Sequence, residues 1–142
     1  MCIRDRYEGL MSFSKVRNAH KTENTEDYLE LIADLLNKNG EARIVDIANK
    51  LNIAQATANK TIKRLQLQGY INKEPYRSIF LTLKGQKIAS YSKKRHNTVY
   101  SFLLNLGLDL KTAVADSEGI EHHVSEKTLK KMEKFNKIKK TK

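Results

Sequence analysis

Residues 44–82 read IVDIANKLNIAQATANKTIKRLQLQGYINKEPYRSIFLT, and their order decides the fold. Ile44, Ile47, Ala48 and Leu51 make one short helical face that ends at Asn52. A second helix is expected from about Gln55 to Gln68, closed by Gly69, with only a tight turn between the two. After Gly69 the pattern becomes extended: Tyr70-Ile71-Asn72-Lys73, a middle segment Glu74 to Ser78, then Ile79-Phe80-Leu81-Thr82. The chain's one proline, Pro75, falls in the middle segment, where it can shape a hairpin tip without removing a ladder donor. Two short helices across a tight turn, followed by a hairpin, is the order of a winged helix-turn-helix, whose second helix lies in the major groove of DNA.

The Gln55 helix is then the reading element. Ala58, Ile62 and Leu65 share its core side, so Ala56, Asn59, Lys60 and Lys63 face outward, with Gln55 at the N-terminus. Amide side chains such as Gln55 and Asn59 can bond adenine in pairs, and Ala56 and Thr57 can meet a thymine methyl. Lys60, Lys63 and Arg64 suit phosphates, and Arg77 at the wing tip can reach a phosphate or the minor groove. Ala54, before this helix, offers no capping oxygen, a cost of about 1 kcal/mol.

Outward toward the N-terminus, Tyr28, Leu31, Ile32, Leu35 and Leu36 recur at helical spacing over Thr25 to Asn39. Residues 1–24 read as a disordered extension, and residues 1–10 as an artefact preceding a start at Met11. Toward the C-terminus, Thr82 can cap a long helix ending before Gly107. Two further helices are expected, about Asp109 to His123 and Ser125 to Lys139. The expected architecture is mainly α with a small β wing: a winged helix-turn-helix over 25–84, then a linker helix and a helical domain over 85–142.

Lys and Arg number 27 against 16 Asp and Glu, a net charge of +11. The surplus concentrates between Arg43 and Arg95, while Glu26 to Glu41 and Asp109 to Glu126 are acidic. Such a balance suggests a polyanionic partner but does not by itself separate DNA from RNA or an anionic membrane. A single cysteine, Cys2, excludes a disulfide framework and a thiolate zinc site within the chain, and fits a reducing cytoplasm. No apolar stretch approaches a membrane span.

Asp27 and Glu30 lie three apart on the first helix, while Glu118, Glu121 and His122 stand at i, i+3 and i+4 of a later one. Like charges at that spacing repel by a few tenths of a kcal/mol per pair, which folding does not favour unless something positive lies between them. Carboxylates and imidazoles without sulfur suit a hard or borderline divalent ion, with Mn²⁺ and Fe²⁺ as candidates. There is no His-Glu-x-x-His, and no nucleophile or general base stands out beyond these groups, so an enzyme is not expected.

Thr25 to Glu30, Gly40 to Ala48, Phe80 to Gly85, Arg95-His96 and above all Glu118-Gly119-Ile120-Glu121-His122-His123-Val124-Ser125 resemble the manganese transport regulators of the diphtheria-toxin-repressor family. The resemblance implies a homodimeric repressor with a binuclear site formed by Asp27, Glu30, His96, Glu118, Glu121 and His122, two ions per subunit. Iron-responsive relatives carry Met where Asp27 stands and Cys where Glu118 stands, so carboxylates at both places favour manganese. Dimerisation is expected through apolar faces around Val99, Phe102, Leu103, Leu106 and Val114. An iron-responsive repressor of the same architecture and a metal-independent winged-helix regulator are the alternative readings.

Overall fold

A computed structural model describes the backbone of residues 13–74 and 77–140, with side chains from Asn24 onward. The elements in order are α1 (Phe13–Asn39), α2 (Ile44–Leu51), α3 (Gln55–Leu67), β1 (Ile71–Lys73), β2 (Ile79–Leu81), α4 (Leu83–Asn105), α5 (Leu110–Ile120), a 3₁₀ turn (Glu121–His123) and α6 (Glu126–Lys140). None of the described helices is long and apolar enough to cross a membrane.

The first helix starts earlier than its apolar stripe. Residues 13–24 continue α1 rather than forming a disordered extension, which corrects the expected boundary at Thr25. No glycine or proline interrupts residues 13–39, so nothing local stops the backbone ladder once the buried half has nucleated it. The expected artefact at residues 1–10 lies outside the described residues, as does the proline at the wing tip.

The turn between α2 and α3 is built by Asn52, which adopts the left-handed conformation at φ 55°. Asn tolerates that region better than most residues because its short side chain bonds locally. Ile53 N–H then returns to the Ala48 carbonyl at 3.0 Å. Ala54 gives α3 no side-chain cap, as expected. Ala58, Ile62 and Leu65 are fully buried, the three positions that helical spacing assigned to the core.

The wing is a two-stranded antiparallel sheet pairing Ile71 with Leu81, Asn72 with Phe80 and Lys73 with Ile79. Strand alternation turns Ile71 and Ile79 into the core and leaves Asn72 and Phe80 outside. The sheet is fastened to the segment before α2: Ile79 N–H donates to the Ala42 carbonyl at 2.8 Å, and Ala42 N–H donates to Ser78 Oγ at 2.8 Å. These buried residues join Tyr28, Leu29, Ile32 and Leu35 of α1 in one core that extends to Ala89.

Helix α4 serves both halves. Thr82 Oγ1 accepts from Gly85 N–H at 3.2 Å and donates to the Gly69 carbonyl at 2.7 Å, so one side chain caps α4 and ties it to the end of α3. Gly85 lies so close to the wing that an added Cβ would sit 2.1 Å from the Tyr70 carbonyl oxygen. Further along, Val99 and Leu103 form a smaller second core with Ala113 and Leu129. That placement corrects part of the expected dimer face: Val99 and Leu103 are internal, whereas Leu106, Leu108, Leu110 and Val114 remain exposed.

Candidate metal centre and nucleic-acid interface

Three segments far apart in sequence meet beside α4. Helix α1 brings Glu26, Asp27 and Glu30; α4 brings Ser92, Arg95 and His96; the 3₁₀ turn brings Glu121 and His122. The His122 side chain is 2% exposed, with Nε2 3.0 Å from Asp27 Oδ1 and 3.2 Å from Glu121 Oε1. Asp27, Glu121 and His122 each offer one donor atom, all within 4.8 Å of one another. Glu121 Oε2 lies 2.8 Å from His96 Nδ1, and Ser92 Oγ donates to Glu30 Oε2 at 3.0 Å. Five of the six expected ligands therefore line one seam.

Glu118 is the exception. It stands exposed on the last turn of α5, outside the cluster, while Glu121 is buried. The expectation that Glu118, Glu121 and His122 share one helical face assumed a continuous helix. Helix α5 ends at Ile120, and the tighter 3₁₀ turn carries Glu121 and His122 inward on a different path.

The charges of the cluster do not balance internally. Burial raises the pKa of Glu30, partly offset by the Ser92 hydrogen bond and reinforced by the nearby Glu121 charge. Burial acts against a charged His122 ring, but hydrogen bonds to Asp27, Glu121 and Glu26 outweigh it and push that pKa up to about 12. A ring so surrounded marks a place that attracts positive charge. Glu121 Oε2 is buried and faces the His96 ring, with Nδ1 2.8 Å away. A buried carboxylate is costly unless it is paired and hydrogen-bonded, and a bound cation is one partner that meets that need. The donors are oxygen and imidazole nitrogen with no sulfur, so the residues present fit a hard or borderline divalent ion.

Glu26 was not singled out from the sequence, yet it is central. Its Oε2 lies 2.7 Å from His122 Nδ1 and forms an ion pair with Arg95 Nη2. Burial raises its pKa, but the His122 and Arg95 contacts dominate and the net shift is downward. A signal was available: Glu26 stands four residues before Glu30, a spacing as suited to one helix face as that of Asp27.

Gln55, Ala56, Thr57, Lys60 and Lys63 are exposed on α3 and Asn59 is partly so. Arg64 is half-buried, and its Nη2 donates to Asn24 Oδ1 at 3.1 Å. Arg77 is exposed at the wing and pairs with Glu74 at 3.1 Å.

Residues 20–79 match the model of the iron dependent repressor N-terminal DNA binding domain, and residues 82–141 match the iron dependent repressor metal binding and dimerisation domain. The chain belongs to the iron dependent repressor family. It is similar to the transcriptional regulator MntR of Escherichia coli O6:H1, with 48% identity over 122 residues, covering 86% of this chain and 79% of the relative. The HTH-type transcriptional regulator MntR of Lysinibacillus sphaericus is 38% identical over 104 residues, covering 73% of this chain and 75% of the relative. Among solved structures, the manganese regulator SloR superposes with a TM-score of 0.69 at 28% identity, covering 78% of this chain and 52% of that one. This chain thus spans about half the length of that regulator.

Proposed function

We propose that the protein is a manganese-responsive, homodimeric transcriptional repressor that works in the cytoplasm and gains operator affinity when divalent metal fills the seam between α1, α4 and the 3₁₀ turn. The observation that supports this reading is the convergence of Asp27, Glu121 and His122, drawn from opposite ends of the chain, with one donor atom from each within 4.8 Å of the others. Asp27, Glu30, His96, Glu121 and His122 would hold the metal, with Glu118 added at the exposed edge for a second ion. Bound metal supplies the positive charge that lets these carboxylates stay ionised together.

The chain's own residues supply the coupling. Asp27 and Glu30 lie on the helix whose buried face, Tyr28, Leu29 and Ile32, belongs to the same core as Ile62 and Leu65 of the reading helix. Drawing Asp27 toward His122 therefore biases the posture of α3 relative to α4 through packed, nearly incompressible side chains. In a dimer, that posture sets the separation of two reading helices, which must match successive major grooves. Gln55, Ala56, Thr57 and Asn59 then address base edges, and Lys60, Lys63 and Arg77 neutralise phosphates.

The likeness to a solved manganese regulator, and Asp27 in the cluster where a thioether would suit iron, favour Mn²⁺ over Fe²⁺. A mobility-shift assay with operator DNA is the test, run with metal-free protein and with Mn²⁺ or Fe²⁺. Coupling of the usual size predicts DNA binding roughly tenfold or more tighter with Mn²⁺, and loss of that gain in Asp27→Ala and His122→Ala. Equal affinity with and without metal would remove the reading, and a larger response to Fe²⁺ would transfer it to iron.

A further inference from the structure

Glu26 lies beside the candidate ligands, and one of its oxygens is already engaged. Its Oε2 is shared between His122 Nδ1, at 2.7 Å, and the Arg95 guanidinium. Both side chains of that ion pair are 12% exposed. Arg95 is further backed by the Tyr91 ring, 5.3 Å from the guanidinium carbon. One carboxylate oxygen thus joins α1, α4 and the 3₁₀ turn.

We propose that Glu26, balanced by Arg95, is a positioning residue that fixes the His122 ring so that Nε2 is presented to the metal position between Asp27 and Glu121. This rests on the metal-responsive reading above. The ring torsion of a histidine is broad and roughly two-fold, so an unrestrained His122 could offer either nitrogen or neither. An acceptor placed on Nδ1 selects one orientation and leaves Nε2 as the donor atom. The observed distances have that form: Nδ1 faces Glu26, and Nε2 faces Asp27 and Glu121.

Arg95 explains why Glu26 is not a ligand itself. Its fixed positive charge lies against Glu26 Oε2 and cancels the added carboxylate, so the pair contributes orientation without further net negative charge. A cation drawn to the seam is repelled from that corner and attracted to Asp27, Glu121 and His122.

The test uses the full chain with Mn²⁺ alone as the probe, together with histidine-labelled NMR of the metal-free protein. Glu26→Ala is expected to weaken Mn²⁺ binding by about 10- to 100-fold in calorimetric titration, the usual range for loss of such a partner. Glu26→Gln keeps an oxygen that accepts from Nδ1–H and should recover most of the lost affinity. In the metal-free wild type the His122 Nδ1 proton should exchange slowly with solvent, and in Glu26→Ala it should not. A Glu26→Ala affinity within about twofold of wild type overturns the proposal, as does a Glu26→Gln variant no better than Ala. If Glu26→Ala does not fold, a wild-type Nδ1 proton exchanging at solvent rates overturns it instead. A wild type that takes up no Mn²⁺ would end the metal reading, while the ring-proton measurement would still decide the role of Glu26.

Discussion

The two halves of the chain are held together by different means. The DNA module is organised around Leu29, Ile32, Ile47, Ile62, Leu65, Ile71 and Ile79, all buried, with further apolar side chains packed around them. The metal-binding half has four buried apolar residues in its own core, Val99, Leu103, Ala113 and Leu129, and keeps Leu106, Leu108, Leu110 and Val114 exposed. What it buries instead is polar: Ser92, Ser117 and Glu121. Apolar burial is non-directional and persists whatever else binds, whereas a buried carboxylate needs a partner of the right charge. The reading half is therefore built to be rigid, and the sensing half to be completed by metal and by a second subunit.

The contrast can be broken most severely at the first core. Ile62→Ala should destabilise the protein by about 2–5 kcal/mol, because the side chain is fully buried and its removal leaves a cavity. Chemical denaturation should report the same loss with and without Mn²⁺. A loss that disappeared on adding metal would show that the DNA module is not independently rigid.

The next test strikes the joint between the halves. Gly85→Ala places a methyl group against the Tyr70 carbonyl, which is backbone and cannot swing aside. A cost of about 1–3 kcal/mol is expected from thermal unfolding. DNA binding should suffer along with stability, since the wing and the start of α4 must separate to admit the group.

A milder cut at the same joint is Thr82→Ala, which removes the cap of α4 and the bond to the Gly69 carbonyl. About 1 kcal/mol is expected, measured as a lowered denaturation midpoint. Glycine at this position should cost only a few tenths of a kcal/mol if capping alone matters, and more if the bond to Gly69 contributes.

The smallest effect belongs to the sensing half. Asp109 caps α5, accepting from Thr112 N–H at 3.0 Å and from Thr112 Oγ1 at 2.7 Å, and these bonds lower its pKa below the usual 3.8. A carboxyl whose folded pKa is depressed stabilises the fold above its unfolded value and loses that contribution as pH falls through the folded one. The difference in melting temperature between wild type and Asp109→Asn should thus be constant near neutrality and shrink once pH drops below 3.8. A difference that grew on acidification would contradict the capping role.

Much of this was legible before any coordinates. Helical spacing placed Ala58, Ile62 and Leu65 in the core, and the hairpin pattern marked a wing whose strands pair as Ile71 with Leu81 and Lys73 with Ile79. Leu29, fully buried, was left out of the stripe read from α1 although it stands three residues before Ile32, a spacing that places both on one helical face. The start of α1 was missed for another reason: residues 13–24 are polar, and a period-based reading sees helix only where one face is apolar.

The sequence alone determined which residues share a local face and which chemistry they carry, since rotation per residue and side-chain composition are properties of the chain itself. Only the tertiary structure decided membership of the seam. It brought Glu26 beside His122 across 95 intervening residues, buried Glu121 while leaving Glu118 outside, and turned Arg64 toward Asn24. Those outcomes depend on where α5 gives way to a 3₁₀ turn and on how α1 docks against α4, and no local periodicity encodes the position of a distant partner.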